Sequence, residues 1–116
     1  SNPLSLKFAL EKFDNIYKEK NNKFLLIGDM LELGKYSKKL HIQIAGYINK
    51  SKVNKVYTYG KLTKHTFNKL KPQIRGKMLK TDIEVANLIN KDLPNNSYLM
   101  IKGSNSTGLN KIIQNL

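Results

Sequence analysis

KFLLIGDMLELG, residues 23–34, decides the fold. Its first half is an apolar run too short for a helix and bounded by glycine, which reads as a buried strand. Two acids, Asp29 and Glu32, then stand between Gly28 and Gly34. A helical pattern follows, opened by Ser37 as a cap and carrying Leu40, Ile44, Tyr47 and Ile48 on one stripe over residues 37–50. Strand, loop, helix is the opening unit of an α/β architecture.

The rest of the chain repeats that alternation. Upstream, residues 3–17 read as a helix, with Pro3 at the first position and Leu6, Leu10, Phe13 and Tyr17 on one face. Downstream, KVYTY (55–59) is a strand rich in β-branched and aromatic residues. Residues 62–70 form a short helix closed off before Pro72, and residues 77–80 a third strand. Thr81-Asp82-Ile83-Glu84 is a capping box, and its helix runs through Val85, Leu88 and Ile89 to end before Pro94. Residues 98–101 give a fourth strand, residues 103–108 a glycine-flanked loop, and residues 109–116 a last helix.

Strands separated by helices pair in parallel through right-handed crossovers. The expectation is a three-layer Rossmann-like α/β fold: one domain over residues 1–116, a mainly parallel sheet in the order 3-2-1-4, and helices on both faces. The first and fourth strands, the most continuously apolar, are expected at the centre. Ligands in such sheets bind beyond the carboxyl ends of the strands at the switch point. The loops opening there are residues 28–34 and 103–108, and they also carry the unusual chemistry.

Composition narrows the function. The 116 residues hold no cysteine, which excludes disulfides and thiolate metal sites. No apolar run approaches the roughly 20 residues of a membrane span, and no signal-peptide pattern opens the chain, so a cytoplasmic location and no membrane partner are expected. The formal net charge of +13 admits a basic nucleic-acid-binding α/β module as the alternative reading. Against it, Arg75 is the sole arginine and the lysines are scattered; arginine is the preferred tool for reading bases and gripping phosphates.

GSNSTG (103–108) has P-loop glycine spacing, but Leu109 and Asn110 stand where that motif needs Lys and Ser/Thr. What remains is a hydroxyl-rich loop able to hold a carboxylate, with Lys102 beside it for an anion. Asp29 is either a functional acid at a strand end or the cap of its own loop as an Asx-turn. Glu32 reads as a loop-bracing acid. His41 falls on the flank of its helix's apolar stripe, and His65 has no partner by spacing. Two histidines without clustered acids argue against a metal site.

Four pieces of the chain carry a resemblance. Asn2-Pro3-Leu4-Ser5, the block GDMLELG (28–34), His41 after it, and Lys102-Gly103-Ser104 resemble, in order and spacing, the carboxyl-terminal domain of the Mur ligase family. The nearest branch adds D-alanyl-D-alanine to UDP-N-acetylmuramoyl-tripeptide in peptidoglycan precursor synthesis. That resemblance implies an excised domain of a three-domain enzyme that uses ATP and Mg2+ to activate a carboxylate as an acyl phosphate. It implies that this domain offers the incoming dipeptide its site and closes over ATP on the central ATPase domain, against which it packs. As an isolated chain it is expected to be monomeric, to bind no ATP or Mg2+, and to be inactive. The implied substrate-binding set is Asp29, Leu31, Lys102, Ser104 and Asn105, with Asn2 on the nucleotide side and Glu32 and His41 in support; no catalytic residue is implied. Asn105 stands where the family commonly has arginine.

Overall fold

In the computed structural model, residues 2–16, 22–30, 37–103 and 108–116 are described. Their elements run α1 (Pro3–Ile16), β1 (Lys23–Gly28), α2 (Ser37–Lys50), β2 (Lys55–Tyr59), α3 (Thr63–Phe67), β3 (Arg75–Leu79), α4 (Asp82–Asn87), β4 (Tyr98–Lys102) and α5 (Leu109–Gln114). A 3-10 turn at Pro72–Ile74 leads into β3, and a π-helical turn at Leu88–Asp92 extends α4.

The four strands form one parallel sheet in the order β3-β2-β1-β4. β1 lies between β2 and β4 and is buried along its whole length, as a run of FLLI in a sheet covered on both faces requires. Its side chains alternate between two cores. Leu25 and Ile27 pack with Leu6, Leu10 and Phe13 of α1 and Ile44 and Ile48 of α2. Leu26 packs on the other face with Leu79, Val85, Leu88 and Leu109. α1 and α2 thus cover one face, and α4 and α5 the other.

Sequence and structure part in several places. β4 is as apolar as expected but lies at an edge of this sheet, and all five of its residues are only half-buried. β3 begins at Arg75, two residues early, and its pairing with β2 is irregular between Val56 and Thr58. α3 is shorter than expected, and the fourth helix changes to π geometry at Leu88. The capping box forms in full: Thr81 Oγ1 accepts from the Glu84 amide, and Glu84 Oε1 accepts from the Thr81 amide.

Candidate functional site

The carboxyl ends of β1 and β4 meet backbone to backbone. Ile27 is registered against Lys102. A Cβ built on Gly103 would lie 3.1 Å from Gly28 Cα and 3.2 Å from its nitrogen, tighter than ordinary van der Waals contact. Glycine at position 103 is what lets the two strand ends lie this close. Lys102 closes β4 at this point and is half-buried.

Asp29, the first residue past β1, is only 8% exposed. Among the described residues, its carboxylate reaches α3 and not β4. Oδ1 accepts from the amides of Leu62 at 2.9 Å and Thr63 at 3.0 Å. These are the opening amides of α3, a helix whose cap position holds Leu62, a side chain unable to accept. Asp29 supplies that cap from 33 residues away. The turn entering α3 is built around it. Gly60 has φ +130, and a Cβ there would sit 2.5 Å from Asp29 Oδ1, so both conformation and space demand glycine.

Met30, the next residue, is tied to a different helix. Its amide donates to His41 Nε2 at 3.2 Å. His41 is fully buried within α2 and is not on its flank; Nδ1 lies 2.6 Å from the Ser37 carbonyl oxygen. Thr66 of α3, also fully buried, donates its hydroxyl to the His41 carbonyl at 2.7 Å. The contacts close into a ring: Asp29 to Thr63, along α3 to Thr66, across to His41, and back through Met30. Thr63 and Thr66 share one face of TKHTF, but no spacing in the sequence links them to Asp29 or His41 34 and 25 residues away.

Asn2 stands apart from this ring. It caps α1: its Oδ1 accepts from the Ser5 amide at 2.9 Å, and its own amide donates to Ser5 Oγ at 3.2 Å. At the other end of α1, Lys23 Nζ donates to the Asp14 carbonyl at 3.2 Å. α1 therefore runs against β1, and Asn2 lies toward the end of the sheet where β1 and β4 finish. Leu31, Glu32, Ser104 and Asn105 lie outside the described residues. A cavity of ≈ 560 Å³ opens next to the ring, lined by Tyr59, Gly60, Lys61, Thr63, Lys64 and Lys80 among others. Around α3 the field is positive: the His65 imidazole is held below its usual value by desolvation first and then by Lys38 and Lys64.

No protein-family model matches the chain. Over 113 residues it is 34% identical to the UDP-N-acetylmuramoyl-tripeptide--D-alanyl-D-alanine ligase of Rickettsia prowazekii (strain Madrid E), a match covering 97% of this chain and 25% of that protein. It is a Mur ligase homologue. The enzyme of the same name from Bacillus subtilis (strain 168) is 36% identical over 62 residues, 53% of this chain and 13% of that one. The one from Buchnera aphidicola is 31% identical over 97 residues, 81% of this chain and 20% of that one. This Mur homologue thus spans a quarter or less of the curated relatives it matches. Its fold agrees with a crystal structure of MurF ligase from Thermotoga maritima in complex with ADP, at TM-score 0.73 and 17% identity, over 98% of this chain and 25% of that one. The doubly wound fold read from the sequence is therefore the fold of a Mur ligase segment.

Proposed function

We propose that this chain is the carboxyl-terminal domain of a cytoplasmic ligase that joins D-alanyl-D-alanine to UDP-N-acetylmuramoyl-tripeptide. The observation that carries this reading is the 34% identity to such a ligase along 97% of the chain. In the proposal the loops leaving β1 and β4 form the dipeptide side. Lys102 and the amides after it take the dipeptide carboxylate, with Leu31, Ser104 and Asn105 lining the loops. Asp29 sets the loop through its hold on α3, with Glu32 bracing it. Asn2 stands toward the nucleotide.

In this reading the chain does not itself supply the P-loop. Leu109 and Asn110 replace the lysine and hydroxyl residue that a P-loop needs. ATP and Mg2+ belong, in this reading, to a central domain on which this one packs. This domain contributes position: an amine held at attack distance from an activated carboxylate, with water kept out as the domains close. Monomer is the proposed state.

The test is dipeptide-dependent release of inorganic phosphate by the full-length protein, given UDP-N-acetylmuramoyl-tripeptide, ATP and Mg2+. Turnover is expected with D-alanyl-D-alanine and none from the 116-residue chain alone. A full-length protein that ignores the dipeptide would overturn the reading. Asp29→Ala in the full-length protein should lose turnover.

A further inference from the structure

His41 has no exposed surface, so its ring touches no ligand. The partners of its two nitrogens nevertheless select one tautomer. The Ser37 carbonyl at 2.6 Å can only accept, so Nδ1 carries the proton. Nε2 is then a lone pair, and it accepts the Met30 amide at 3.2 Å. The reverse tautomer would set a lone pair against a carbonyl oxygen and one N–H against another. Around this ring α2 is otherwise apolar, with Ile44, Ala45 and Ile48 in the core. A leucine would fill the space without the cost of burying a polar ring. What a leucine cannot do is accept the Met30 amide, the last described backbone donor before residues 31–36.

We propose that His41 is a positioning residue for the amino-substrate wall: an Nδ1–H imidazole whose Nε2 holds the Met30 backbone and so fixes the chain just past β1. This rests on the reading of residues 28–34 as part of the dipeptide site. Asp29 and Met30 are adjacent and are held by different helices, Asp29 by α3 and Met30 by α2 through His41. Thr66 locks the two helices to each other at the His41 carbonyl. A loop root clamped from both sides has little freedom, which is what holding a reactant in near-attack geometry requires.

Two measurements test this. The first is nitrogen-15 spectroscopy of the imidazoles in the 116-residue chain at neutral pH, together with hydrogen exchange of the Met30 amide. Expected are a protonated Nδ1 with a bare Nε2 at His41 and a slowly exchanging Met30 amide; the Nε2–H tautomer or a fast amide overturns the proposal. The second is kinetics of the full-length ligase. His41→Leu should raise the KM for dipeptide about tenfold with a far smaller change in kcat, the scale of a sub-ångström misplacement. His41→Gln, whose side-chain oxygen can accept the Met30 amide, should restore most of it. An unchanged KM in His41→Leu, or a glutamine variant no better than leucine, overturns the proposal. Should the leucine variant fail to fold by circular dichroism, the glutamine variant decides, with a KM near wild type supporting and a tenfold rise overturning. If the wild-type protein shows no dipeptide-dependent turnover, the proposed function fails, and the tautomer and Met30 exchange still decide the role of His41.

Discussion

At the scale of single residues, the two polar side chains that drew attention in the sequence turn out to be buried braces. Asp29 accepts from the two opening amides of α3, of which Thr63's also makes a longer 3.3 Å contact with the Gly60 carbonyl, and it places a carboxylate where a helix start favours negative charge. Removing it takes the acceptor from the part-buried Leu62 amide and leaves the buried Thr63 amide only its long contact with the Gly60 carbonyl. Asp29→Ala should therefore cost roughly 2 kcal/mol of stability in urea unfolding. Its mark should be local, with the amides of Leu62 and Thr63 losing hydrogen-exchange protection ahead of β1. Equal loss across the sheet would contradict the capping role. That Asp29 mattered was legible from its place after a β-strand. Its partners were not, because a cap supplied across 33 residues leaves no local spacing to read. For His41 the helical stripe was right in outline, yet the ring proved to be central to the buried face because its polar atoms are satisfied there, something hydropathy cannot register.

At the scale of elements, local chemistry explains most of what the sequence revealed. The capping box over 81–84 needs only neighbours three apart, and it formed as written. Glu84 also pairs with Lys77 at 3.0 Å. That pairing first, then the Lys80 amide, holds its carboxyl below the usual 4.5. A carboxyl depressed in the folded state binds fewer protons there than in the unfolded chain. Its stabilisation is thus present above pH 4.5 and lost as pH falls through the lower folded value. Glu84→Gln should lower the neutral plateau of a stability-versus-pH curve slightly and flatten its acid limb, meeting the wild-type curve at low pH; an unaltered acid limb would refute this. Gly46 offers the opposite change. It lies in mid-α2, exposed, with nothing within 4 Å of a Cβ. Gly46→Ala should stabilise the chain by about 0.5–1 kcal/mol in thermal or urea unfolding, the usual helix gain. Element ends were less legible: the early start of β3 and the π turn at Leu88 depend on pairing and packing with distant parts of the chain.

For the whole molecule, the alternation of strands and helices was sufficient to give the strand order, because crossover handedness leaves few alternatives. It did not fix burial. β4 was expected in the centre on its apolar pattern, and in this sheet it has one neighbour, β1. Charge is the other global property. A net +13 carried by dispersed lysines attracts any polyanion at low salt. The chain should bind duplex DNA weakly at 20 mM salt or so and lose that binding by about 150 mM, without sequence preference. Tight, sequence-selective binding at the higher salt in a filter assay would instead favour the nucleic-acid reading.

The close approach of Gly103 to Gly28 has a consequence for variation. If every residue were replaced in turn and survivors sequenced, positions 46 and 108, where a methyl group meets open space, would return alanine freely. Position 103 would return glycine, because its neighbour is backbone and cannot swing aside. The crevice floor between β1 and β4 is thus closed to side-chain diversity. Variation at this end of the sheet must then be carried by residues outside that floor.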